Sequence, residues 1–121
     1  MAKNMEMALL FDFYGEMLTD KQRDVIELYY DDDLSLAEIA ENAGITRQGV
    51  RDSIKRAETQ LSEMEERLGL VRRFREMQAG IAAIQQAATD IYEVNERFGY
   101  SREINECARR IQRLAQQLAE A

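Results

Sequence analysis

Two blocks of helically spaced apolar residues, parted by a glycine, stand out between Ser35 and Leu61. In the first, Leu36, Ile39, Ala40 and Ala43 recur at intervals that keep side chains on one face of an α-helix. Ser35 is placed to cap that helix, and Glu38, three residues on, completes a capping box. Gly44 supplies the left-handed backbone of a sharp helix exit. Ile45 is expected to plug the corner, and Thr46 to cap the next helix. Val50, Ile54, Ala57 and Leu61 then turn inward, and the small Ala40 lets the two helices cross closely. Two capped helices about a short glycine turn form a helix-turn-helix.

The same period continues on both sides. Met5 to Leu18 is apolar on most of its circumference, through Met5, Leu9, Leu10, Phe13, Tyr14 and Met17, which predicts a well-buried first helix. Thr19 with Gln22 makes a second capping box and opens a helix to about Tyr30, with Val25, Ile26, Leu28 and Tyr29 as its core face. Asp31, Asp32 and Asp33 follow. They read as turn chemistry, since a calcium loop needs a longer set of alternating oxygen ligands. Met64 and Leu68 extend the inward seam of the second helix-turn-helix helix as far as Gly69, where the spacing slips and a helix end or kink is expected.

Beyond it, Phe74, Met77, Ile81, Ile84, Ala88, Ile91, Val94 and Phe98 form one stripe, and Gly99 breaks it. Ser101 caps a last helix with Ile104, Cys107, Ile111, Leu114 and Leu118 in heptad spacing. The pattern therefore predicts an all-α chain. A helix-turn-helix domain spans residues 1–69, and a helical hairpin with two complementary apolar stripes spans residues 70–121. Two helices alone bury too little to be stable. The hairpin should pack on the long helix before it or on a second copy, and a homodimer is expected.

Composition narrows the chemistry. Proline and histidine are absent and Cys107 is the one cysteine among 121 residues. A zinc site and a histidine-based triad are close to excluded, and no phosphate loop or nucleophile elbow is present. A non-enzymatic protein with no cofactor and no metal is expected. A single cysteine fits a reducing cytoplasm. The apolar opening carries Glu6, Asp12 and Glu16 and does not read as a secretory signal. No apolar run is long enough for membrane insertion.

Net charge is −7, and it is uneven: residues 1–33 hold three Lys or Arg against nine Asp or Glu, whereas residues 70–121 hold eight against seven. Against this acidic background the second helix of the helix-turn-helix is locally basic. Arg47, Gln48 and Arg51 would face base edges and Lys55 and Arg56 would meet phosphates. The Thr46 hydroxyl and the amides of the helix start would hold a further phosphate. The same face could instead serve a protein contact. Net acidity argues against strong, unaided binding to duplex DNA. Arg72, Arg73 and Arg75 read as charged flanks of an apolar seam.

The run LTDKQRDVIELYYDDDLSLAEIAENAGITRQGVRDSIKRAETQL resembles the fourth conserved region of bacterial sigma factors, which reads the promoter −35 element. The stretch from Phe11 to Glu58 is similar to the YlxM family of small bacterial helix-turn-helix proteins. Its elements match at Asp12–Tyr14, at Leu28–Asp33 and at Thr46–Arg56, with Thr46 for serine and Gly49 for alanine. This resemblance implies a cytosolic, non-enzymatic regulatory protein acting in the signal recognition particle pathway through protein or RNA contacts. Duplex DNA is the alternative partner. Residues 75–121 depart from that family's usual short, basic end.

Overall fold

The computed structural model describes residues 3–121; Met1 and Ala2, the start of the apolar opening stretch, lie outside the described residues. Among those described, the helices are α1 (Met5–Tyr14), α2 (Asp20–Ile26), α3 (Leu36–Ala43), α4 (Arg47–Leu68), α5 (Leu70–Arg97) and α6 (Arg102–Glu120). The chain forms two compact units, Met1–Val71 and Arg72–Ala121.

The N-terminal unit is assembled on α4, against which α1, α2 and α3 each pack. Val50, Ile54, Ala57 and Leu61 are fully buried along its inward face. Leu10, Phe11 and Tyr14 of α1, Val25 and Ile26 of α2, and Ile39 and Ala40 of α3 join it in the core, with Leu18, Tyr29 and Val71 from the connections and the start of α5. The predicted caps form. Thr19 and Ser35 each make a complete capping box, with Gln22 and Glu38.

Three elements differ from the periodicity. α1 ends at Tyr14, and a 3₁₀ turn over Gly15–Met17 leads into extended Leu18. A Cβ on Gly15 would lie 2.8 Å from the Phe11 ring, so the ring packs over the glycine and Phe11 is buried. Met5 and Met17 point to solvent, because the tighter turn takes Met17 off the helical register. Past Ile26, α2 widens into a π-helical turn over Glu27–Asp31. Tyr29 is buried there, while the half-buried Tyr30 donates its hydroxyl to Glu58 Oε2 at 2.6 Å. The two rings meet edge to face at 5.0 Å. At Asp33 the backbone is left-handed, and Lys3 Nζ bonds both its carboxylate and the Leu34 carbonyl. Finally, the α4 seam is buried only to Leu61; Met64 is half-buried and Leu68 exposed. In those last turns a carboxylate, Glu65, is what meets α1.

That meeting is a small polar network. The Tyr14 hydroxyl donates to Glu65 Oε1 at 2.6 Å and accepts from the Leu70 amide at 3.0 Å. The Val71 amide donates to the same Glu65 oxygen at 3.0 Å. Gly69 ends α4 in the left-handed conformation with φ 63°. The reversal it allows brings the first amides of α5 to Tyr14 and Glu65. Burial, and then the Glu65 hydrogen bond, raise the Tyr14 pKa above its ordinary value.

In the C-terminal unit α5 and α6 meet along a seam of small residues. Ala88, Asn95, Ala108 and Ala115 are its buried residues. Asn95 closes the turn, donating to the Ser101 carbonyl and accepting from the Ser101 amide, both at 2.9 Å. Gln85 bonds Gln116 and Gln112 bonds Thr89 across the helices. The apolar stripes do not close on one another: Val94, Phe98, Ile104, Leu114 and Leu118 are exposed, as is Cys107. Alanine lets the helix axes approach, and close approach leaves larger side chains no room in the seam.

Tyr14→Phe is expected to lower unfolding free energy at neutral pH by about 1.5–3 kcal/mol, since it removes a charge-assisted hydrogen bond from Glu65 and takes the acceptor from the Leu70 amide. Tyr14 and Tyr30 both hold their protons above the ordinary tyrosine range in the folded protein. Their stabilisation is complete below about pH 10 and declines as pH rises toward the raised values, where the folded state binds more protons than the unfolded one. Denaturant titrations at rising alkaline pH should show that decline, and Tyr14→Phe should make it shallower.

Candidate nucleic-acid interface

The helix-turn-helix is α3, the bend at Gly44 and the first half of α4. Gly44 has φ 69°, and the amides of Gly44 and Ile45 both reach the Ala40 carbonyl, which ends α3 sharply. Thr46 then caps α4, its Oγ1 accepting from the Gly49 amide at 3.0 Å. Val50 and Ile54 bind this start of α4 to the core. The register leaves Arg47, Gln48, Arg51, Lys55 and Arg56 exposed.

Those residues divide into two adjoining stripes. Arg47, Arg51 and Lys55 follow one another at four-residue spacing, and Gln48, Asp52 and Arg56 form the next row. Gln48 Nε2 donates to Asp52 Oδ1 at 3.0 Å, so that side chain is steadied on its own helix. Thr46, exposed as well, already uses its oxygen as the cap. The structure thus brings all six predicted positions onto one continuous surface.

Among the described residues, Arg47, Arg51, Lys55 and Arg56 take part in no ion pair. Arg23, by contrast, is held by Glu16 and Asp20, and Lys3 by Asp33. Arg72 and Arg75 likewise have partners. The helix dipole sharpens the contrast. α2 and α3 carry Asp20 and Glu38 in their first turns, whereas α4 has no acid there and begins with Arg47. Cations at a helix N-terminus lose up to about 1 kcal/mol against the dipole. Arg47, unpaired in the first turn, loses against the dipole unless an anion is near it.

The corner differs from the expected packing at Ile45. Ile45 does not plug the bend; it is 46% exposed. It lines a groove with Val25, Leu28 and Ala43, with Lys21 and Asn42 also at its walls. Thr46 must be extended to cap α4, and the residue before it is carried to the surface. An apolar residue between two caps gives no signal that separates a plug from a groove wall.

A family profile described as "Putative helix-turn-helix protein, YlxM / p13 like", UPF0122, matches residues 1–100. The chain belongs to the UPF0122 family. It is 46% identical over 108 residues to the UPF0122 protein Teth514_1714 of Thermoanaerobacter sp. (strain X514), covering 89% of this chain and 92% of that one. To the UPF0122 protein TTE1463 of Caldanaerobacter subterraneus subsp. tengcongensis it is 54% identical over 79 residues, 65% of this chain and 68% of the relative. The UPF0122 protein BCAH187_A3894 of Bacillus cereus (strain AH187) is 51% identical over 83 residues, 69% and 76% of the two chains. The Thermoanaerobacter match, at 108 of 121 residues, reaches well into the C-terminal unit. Among the described residues no helix is long and apolar enough to cross a membrane.

Gly44→Ala tests the bend. A Cβ there meets nothing within 4 Å, so the cost is the left-handed backbone alone, about 1–2 kcal/mol. Gly44→Asn should lose less. Chemical denaturation of the two variants checks the order.

Proposed function

We propose that this UPF0122 protein is a non-enzymatic regulatory protein that grips a nucleic-acid backbone with the first turns of α4. Its partner on this reading is the RNA–protein particle of the signal recognition pathway. The observation that supports the reading is the set of four exposed cations on two adjoining stripes in the first half of α4, outside any ion pair, with Arg47 in the first turn set against the helix dipole. The second half of the same helix is acidic, with Glu58, Glu63, Glu65 and Glu66 against Arg67. Screening over ~8 Å at physiological salt confines the attraction to the basic half. A compact, moderate-affinity contact suits a chain of net charge −7, and the family resemblance supplies the particle.

Duplex DNA is the second reading, favoured by the sharp bend at Gly44 and by the exposure of Arg47, Gln48 and Arg51 at the N-terminal end of α4. That end of a helix-turn-helix enters the major groove. The two readings part at Gln48. The deep, narrow major groove of an RNA helix does not admit side chains, so RNA engages the phosphate-directed cations and leaves Gln48 idle. A base edge in DNA engages it.

Fluorescence anisotropy against the particle RNA and against a duplex DNA pool provides the test. Arg47→Ala and Arg51→Ala are each expected to weaken RNA binding roughly tenfold. The logarithm of affinity should fall with the logarithm of salt at a slope of about −3, and Gln48→Ala should change little. Preferential duplex binding that Gln48→Ala impairs would move the assignment to DNA. No binding to either at low salt removes the proposal.

A further inference from the structure

The C-terminal unit leaves its large apolar side chains uncovered, and they fall on one side. On α5 these are Ile84, Val94 and Phe98, with Phe98 75% exposed and Ile91 half-buried beside them. On α6, exposed Ile104, Cys107, Leu114 and Leu118 and half-buried Ile111 alternate spacings of three and four. Ile91, Val94, Phe98 and Ile104 line a single cleft, so both stripes open in the same direction. The Gln85–Gln116 and Gln112–Thr89 hydrogen bonds set the levels of the two helices. At those levels Phe98 lies beside Ile104, Val94 beside Cys107, Ile91 beside Ile111 and Ile84 beside Leu118. A face of paired rungs with this repeat is half of a four-helix bundle.

The charges at its margins name the other half. Glu103, Glu106, Arg110 and Arg113 share one surface of α6 with Cys107, at the outer edge of the face. Along the outer edge of α5 stand Asp90, at the rim of the apolar cleft, and Arg97. Arg97 is level with Glu103 and Glu106; Asp90 is level with Arg110 and Arg113. Within one hairpin these edges lie on opposite sides and cannot meet. Beside an identical hairpin, related by a two-fold axis along the helices, α6 of each copy runs against α5 of the other at the same level. Every acid then faces a base. Glu106 already holds Arg102 at 3.2 Å, and Asp90 accepts from Gln86 at 2.9 Å. Both pairs are exposed and leave carboxylate capacity free.

We propose that a second copy of the chain covers this face. The two hairpins form a parallel, two-fold four-helix bundle, with Cys107, Ile111 and Leu114 in its core and Asp90–Arg110/Arg113 and Arg97–Glu103/Glu106 pairs along its flanks.

Sedimentation equilibrium of the full chain is expected to give twice the 14.0 kDa chain mass. Cys107, exposed in the single chain, should lose thiol reactivity as concentration rises. Leu114→Asp should raise the dissociation constant at least ~100-fold, a loss of about 2.7 kcal/mol. Circular dichroism should show helix content unchanged, because Leu114 is exposed in the isolated hairpin. Arg110→Glu with Arg113→Glu, on surface positions that do not support the fold, should weaken pairing roughly tenfold, and adding Asp90→Arg should restore it. A monomer at every concentration overturns the proposal, and so does a dimer indifferent to Leu114→Asp and to the charge exchange. Concentration-independent protection of Cys107 in a monomer also overturns it, by placing the chain's own N-terminal unit on the face.

Discussion

The N-terminal unit depends on a hydroxyl that serves two helices at once. Tyr14, almost wholly buried, donates to Glu65 near the end of α4 and accepts from the amide of Leu70 at the start of α5. Glu65 in turn accepts from Val71, so a carboxylate stands where the positive end of α5 favours an anion. Gly69 makes the closure possible, because its left-handed backbone reverses the chain within one residue. Removing any partner would leave a buried polar group unsatisfied, which costs more than the bond itself contributes. Among the described residues no buried side-chain nitrogen or oxygen lacks a partner. With α1 fastened to the end of α4, the inward register of α4 is fixed along its length.

That register divides α4 into distinct duties. Its inward row, Val50, Ile54, Ala57 and Leu61, holds the core. Its outward rows change sign halfway: Arg47, Arg51, Lys55 and Arg56 precede, and the glutamates follow. The acidic half is tied inward by tyrosine hydroxyls, Tyr30 to Glu58 and Tyr14 to Glu65. No ion pair occupies the basic half. The two tyrosines bind the acidic half without neutralising the cations, so the positive charge of the first half is not consumed by the fold.

In the C-terminal unit polar and small residues do the joining. Asn95, Ala88, Ala108 and Ala115 hold the helices close, and the aliphatic residues are left on a common face. A hairpin joined in this way is specific in its turn and weak in its core. Bringing a second such face against it would bury the residues that the hairpin itself cannot.

By itself the sequence determined the caps, the bends and the helical class, because these are set within a few residues. Thr19, Ser35, Thr46 and Ser101 each satisfy an amide three positions on, and Gly44 and Gly69 each meet a backbone angle few other residues tolerate. The basic row from Arg47 to Arg56 was legible for the same reason, since helical spacing places it opposite Val50 and Ile54. Only the tertiary structure decided which part of an apolar stripe is covered. The 3₁₀ turn after Tyr14 took Met17 out of the helical register, Ile45 went to a groove wall, and Ala88 and Ala108 took the seam from Val94 and Leu114. Periodicity gives the direction a side chain leaves its own helix. How near the neighbouring helix comes depends on side-chain volumes from both, and that distance exists only once they have met.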